Sequence, residues 1–179
     1  MIFFQIFMLI VVKMIVGVVF NMKKLSKNLW LSEVTKSNTA IRRGIDNNPT
    51  ELHIANLTYL AENIFQPIRE HFGCPIFVSS GYRSKALNEA IGGSQKSFHS
   101  HGMALDLDMD GKASGVSNAD IFMYILNNLN YTELIWEFGT ENKPDWVHVA
   151  IAKGREQEKN TKIAYRENGK TKYKKWNKS

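Results

Sequence analysis

The chain has 179 residues, 44% of them hydrophobic and 22% charged, which suits one globular domain, with room for a small appendage, and excludes a chain too short or too polar to bury a core. The net charge of +6 favours an anionic partner such as nucleic acid, phospholipid or a wall polymer, although much of it lies in the tail "GKTKYKKWNKS", which reads first as solvated. Cys74 is the single cysteine, so an intrachain disulfide and a cysteine-based zinc cluster are both excluded, and the redox compartment stays open.

The chain opens on "MIFFQIFMLIVVKMIVGVVF", apolar except for Gln5 and Lys13 and long enough to cross a bilayer. No basic residues precede the apolar run and no small-x-small cleavage site follows it. Residues 1–21 are therefore an anchor, an export signal or a spurious extension ahead of a start at Met22, and they stand outside the fold reasoning. Residues 22–50 are polar and read as irregular, with "IDNNPT" as the loop before a helix. From Thr50, a capping residue, "ELHIANLTYLAENIFQPIREHFG" places Ile54, Leu57, Leu60, Ala61, Ile64, Phe65 and Ile68 at helical spacing. Pro67 predicts a kink and Gly73 a stop. "PIFVSSGYRS" predicts a buried strand running into a turn, and "SKALNEAIGG" a short helix ended by glycines. "DGKASGVSNAD" is a loop whose Ser117 or Asn118 caps a second amphipathic helix through Leu129. "TELIWEFG" and "WVHVAIA" predict strands, and Asn168-Gly169 suits the type I′ turn of a terminal hairpin. Helices and antiparallel-type strands mix without a βαβ rhythm, so the expected class is α+β, a small mostly antiparallel sheet flanked by helices. The expected organisation is a catalytic domain over 22–155 and a basic hairpin or tail over 156–179.

The chemistry concentrates in "SFHSHGMALDLDM", residues 97–109. Period-two alternation puts Ala104, Asp106 and Asp108 on one strand face and Leu105, Leu107 and Met109 on the other. Gly102 permits a sharp turn, so His99 can fold back toward Asp106 and share a metal ion with it at about 2 Å from each donor atom. A catalytic zinc usually takes three protein ligands and keeps one open position, and His148, inside the apolar strand "DWVHVAIA", is the candidate third. Taken singly, each histidine is better explained by a hydrogen bond in the core, and only together with Asp106 does the balance shift toward a metal. His101 and Asp108 read first as polar loop or surface residues. Glu133 and Glu137 share strand parity, and the residues alone leave open whether they border the cleft.

These motifs resemble a known family. "SFHSHGMALD" matches S-x-H-x-x-G-x-A-x-D, the signature of the zinc peptidases that include bacterial and phage D-alanyl-D-alanine carboxypeptidases and L-alanyl-D-glutamate endopeptidases. "DWVHV" is similar to the family's second motif and "SSGYRS" to its arginine-bearing segment, so the resemblance covers roughly residues 25–155. It implies the hedgehog/DD-peptidase fold and one zinc ion bound by His99, Asp106 and His148. It further implies Asp145 as the general base and Arg83 as a stabiliser of the oxyanion or a grip on a substrate carboxylate. Ser97 would orient a ligand or the substrate, while His101, between the fixed positions of the signature, is a loop residue, a substrate contact or a competing ligand. In a regular strand, positions 145 and 148 face opposite sides, so this role requires Asp145 to sit in the turn made by Pro144.

The expected function is hydrolysis of peptide bonds in peptidoglycan stem peptides by a monomeric, lytic enzyme of phage or prophage type, with no nucleic acid partner. Such an enzyme would pass from the host cytoplasm to the periplasm or cell wall. Anchoring, export or membrane contact would follow only from a genuine segment 1–21. The rival readings are a non-catalytic zinc-bearing virion or wall-binding module and, further off, a cupin-type site built on the His99–His101 pair.

Overall fold

The computed structural model describes residues 23–177, so the apolar segment 1–21 lies outside the described residues. Among the described residues, no helix is long and apolar enough to cross a membrane. Residues 23–44, expected to be irregular, are organised instead. Strands β1 (Lys24–Ser26) and β2 (Leu29–Trp30) pair antiparallel, and helices α1 (Leu31–Thr35) and α2 (Asn38–Arg43) follow. The cause is a set of apolar side chains too short in run to show a period: Leu25, Leu29, Leu31 and Val34 are all buried in the core. Each such burial contributes about 1.5–3 kcal/mol, which outweighs the polar residues between them.

The predicted long helix runs as α3 (Glu51–Leu60), a π-helical turn (Ala61–Phe65) and α4 (Gln66–Phe72). Thr50 caps its start by accepting from the His53 amide, and Gly73 ends it in the left-handed conformation. Pro67 has no amide hydrogen to offer the preceding turn, and the wider π-helical register stands directly before it. Helix α5 (Lys85–Ala90) starts at Ser84, and α6 (Asn118–Asn128) starts at Ser117 with Asp120 completing a capping box.

The main sheet contains β3 (Val78–Ser80), β4 (Ala104–Leu107), β5 (Glu133–Glu137), β6 (Trp146–Ala150), β7 (Asn160–Glu167) and β8 (Lys170–Lys175). Their spatial order is β3-β4-β6-β5-β7-β8, antiparallel throughout except for the parallel β5–β7 pair. The class is α+β, as expected. Asn168 and Gly169, both at positive φ, make the hairpin turn between β7 and β8. That hairpin continues the same sheet instead of lying apart as a tail.

Alternation gives the sheet two unlike faces. Leu105, Leu107, Leu134, Trp136, Val147 and Val149 point into the core with Ile54, Leu57, Ile64, Phe65, Ile121, Phe122 and Ile125 of the helices. Asp106, His148, Glu133 and Glu137 stand on the other face, along a cleft of about 1110 Å³.

Candidate metal centre

The three expected ligands converge. His99 Nε2 lies 3.1 Å from Asp106 Oδ1, His148 Nδ1 lies 2.9 Å from the same oxygen, and the two ring nitrogens are 3.2 Å apart. Register accounts for half of this: Asp106 on β4 is directly opposite His148 on β6. His99 arrives from a 3-10 turn (Phe98–His101) that Gly102 ends at φ 68°. A Cβ on Gly102 would stand 2.6 Å from the His53 carbonyl oxygen, so that position takes glycine for both backbone conformation and space. Gly81 is similarly pressed, its missing Cβ falling 2.5 Å from the Val34 carbonyl oxygen on α1. The Gly81 carbonyl then accepts a hydrogen bond from His99 Nδ1 at 2.6 Å.

That last contact decides the tautomer. A carbonyl only accepts, so Nδ1 of His99 carries the hydrogen and Nε2 of the neutral ring presents a lone pair. The lone pair faces a carboxylate oxygen and a second imidazole nitrogen, an arrangement that needs a proton or a cation between them. A tetrahedral ion with bonds of about 2.0–2.1 Å holds its ligand atoms about 3.3 Å apart. The observed separations of 2.9 to 3.2 Å match that edge, and the donor set of two imidazoles and one carboxylate suits zinc. All three residues are buried, which excludes competing water from the protein side.

Neighbouring groups hold the ligands. Arg83 donates through Nη2 to Asp106 Oδ2, leaving Oδ1 toward the imidazoles, and its Nε donates to Ser80 Oγ at 2.8 Å. Glu133 Oε1 stands 3.6 Å from His148 Nε2, while its other oxygen pairs with Lys162. Burial raises the Asp106 pKa, but the adjoining imidazoles, His99 first and then His148, outweigh it and hold the carboxyl well below the usual range. Burial depresses His99. Burial also depresses His148, yet the hydrogen bond and charge of Asp106, aided by Glu133 and Glu137, leave it raised.

The remaining expected residues fall in different places. Ser97 and His101 line the cleft, neither belonging to the three-residue ligand group. Asp108 caps the following turn, accepting from the Asp110 amide, and is held by Asn118. Asp145 is exposed and does not line the cleft. Its amide donates to the Glu137 carbonyl at 2.9 Å, one residue out of the β5–β6 register, so Asp145 sits in the bend after Pro144, just before β6 begins, as the expected role requires.

A different carboxylate occupies the cleft. Glu137 pairs across the ladder with Trp146, two residues from His148, and shares its face. Glu137 is 8% exposed, and burial pushes its pKa up to about 7, against the opposing pull of His148. The sequence signal was a glutamate of cleft-facing parity inside the apolar run "LIWEF", legible only once the strand's two faces are assigned.

A buried two-histidine, one-carboxylate centre with a second carboxylate in an open cleft, on an α+β sheet, defines a metallopeptidase. The chain belongs to the family Peptidase M15, whose model matches residues 27–150, and the peptidases of this family are zinc-dependent. No curated protein matches the chain.

Proposed function

We propose that this zinc peptidase hydrolyses a peptide bond in the stem peptides of bacterial peptidoglycan, with Glu137 as its general base. The observation that carries the reading is the shared face of the sheet. Three ligands and one buried carboxylate poised near neutrality line a single open cleft. Zinc held by His99, Asp106 and His148 supplies a Lewis acid and brings the acidity of water toward neutral pH. Glu137 takes the proton of the attacking water and returns it to the leaving amine, a role suited to a carboxyl that titrates near 7. Arg83 orients Asp106 and keeps further N–H groups for an oxyanion or a substrate carboxylate. Asp145, exposed beside the ladder, takes no part in this scheme. A lytic role at the cell wall, of phage or prophage type, fits the net charge of +6, which favours anionic wall polymers.

Purified peptidoglycan tests the proposal. Release of new amino termini, abolished by chelator and restored by zinc, is the expected result. Mass spectrometry of the muropeptides then separates endopeptidase from carboxypeptidase. Wall binding without any cleavage by the zinc-loaded protein would overturn it in favour of a non-catalytic module.

A further inference from the structure

The family match ends at residue 150, yet two strands of the main sheet lie beyond it. Their register aims side chains at the cleft. Glu137 pairs with Ala164 on β7, and Ala164 pairs with Tyr173 on β8, so Trp146, Glu137, Ala164 and Tyr173 form one row across four strands. Ala164 is buried, so the side chains that reach the cleft from this row are those on either side of it, Glu137 and Tyr173. The backbones of Glu137 and Tyr173 stand two strand spacings apart, roughly 10 Å, and both side chains line the cleft. Next along β7 on the same face comes Arg166, opposite Thr171.

Arg166 differs from the carboxylate-paired cations of the cleft. Arg83 is paired with Asp106, Lys162 with Glu133 and Arg155 with Glu158. Among the described residues Arg166 has no carboxylate partner, and its guanidinium rests over the Phe138 ring at 4.9 Å. An aromatic platform of this kind fixes the plane of the guanidinium while leaving its N–H edges free for a bidentate acceptor. From Glu137 the Arg166 backbone is one strand across and two residues along, roughly 8 Å away. A carboxylate within about one residue of the scissile bond reaches it.

We propose that the β7–β8 hairpin is a substrate-binding wall in which Arg166 takes a free carboxylate next to the scissile bond and Tyr173 donates its hydroxyl hydrogen to the backbone of the bound peptide. The inference rests on the peptidase reading of the same cleft. Stem peptides offer two such carboxylates: the α-carboxylate of a γ-linked D-glutamate and the C-terminal carboxylate of a terminal D-alanine.

Three synthetic pentapeptides of sequence L-Ala-γ-D-Glu-L-Lys-D-Ala-D-Ala test it: the free acid, the D-glutamate α-carboxamide and the C-terminal carboxamide. Calorimetric binding to zinc-loaded Glu137→Gln protein provides a readout that does not require turnover, and hydrolysis by the otherwise unaltered enzyme provides a second. Arg166→Gln should weaken binding of the free acid, and raise its KM, about tenfold with kcat within about twofold, the size of one lost charge-assisted hydrogen bond. The carboxamide that removes this Arg166 dependence identifies the carboxylate. Tyr173→Phe should weaken binding of all three peptides by a similar, smaller factor. Equal Arg166→Gln effects on all three peptides, or none, would overturn the subsite. Arg166-dependent binding without hydrolysis would instead uphold the subsite and sink the peptidase reading. Both side chains are exposed, so neither change threatens the fold.

Discussion

Glu137→Gln, made in the metal-free protein, should raise stability at alkaline pH and leave it unchanged at acid pH. Glu137 has its pKa raised from 4.5 to about 7, chiefly by burial. Folding therefore retains a proton that the unfolded chain releases above 4.5. Below that pH both states are protonated and the residue costs nothing. Between 4.5 and 7 the wild type loses about 1.4 kcal/mol per pH unit, and above 7 the whole cost, about 3 kcal/mol, is in place. Glutamine keeps the shape of the protonated acid and has nothing to ionise. For a chain of this size the gain corresponds to roughly 6–12 °C in melting temperature at pH 8. Thermal denaturation of chelator-treated wild type and variant at pH 4.5 and pH 8 reads it directly. Zinc favours the carboxylate, so loading the metal should narrow the gap. Parallel pH profiles for the two proteins, with a constant offset, would refute the assignment of Glu137 as a buried acid titrating near neutrality.

Other consequences concern the metal, the base and the backbone. His148→Ala should weaken zinc retention by more than about 100-fold, measured as metal content after dialysis, because only two of the three ligands remain. In zinc-loaded enzyme, Glu137→Gln should cut kcat by about 10²–10⁴-fold with metal content unchanged. Asp145→Asn should stay within about threefold, and the reverse ranking would return the base to Asp145. Gly102→Ala should cost at least about 2 kcal/mol in urea denaturation, since the backbone is left-handed there and the new Cβ meets the His53 carbonyl. The same change should lower zinc affinity by displacing His99.

Much of this protein was legible in the sequence, and unevenly so. Long periodic segments announce themselves: the α3–α4 rod, α6 and the Asn168-Gly169 hairpin lie where spacing and caps predict them. The short elements at residues 24–43 are silent, because two or three apolar residues show no period until Leu25, Leu29 and Val34 find the core. The ligand trio was readable because a turn glycine and strand parity are local facts, and local sterics impose them whatever the rest of the chain does. That Glu137 stands in the cleft was not readable, because it depends on which neighbouring strand supplies a carboxylate to the His148 face. The β5–β6 register brings Glu137 onto the face of His148, while Asp145 lies outside the ladder, in the bend before β6. Sequence determined which atoms can bind a cation. Only the pairing of strands far apart in the chain decided which carboxylate stands in the cleft, and brought a terminal hairpin to its wall.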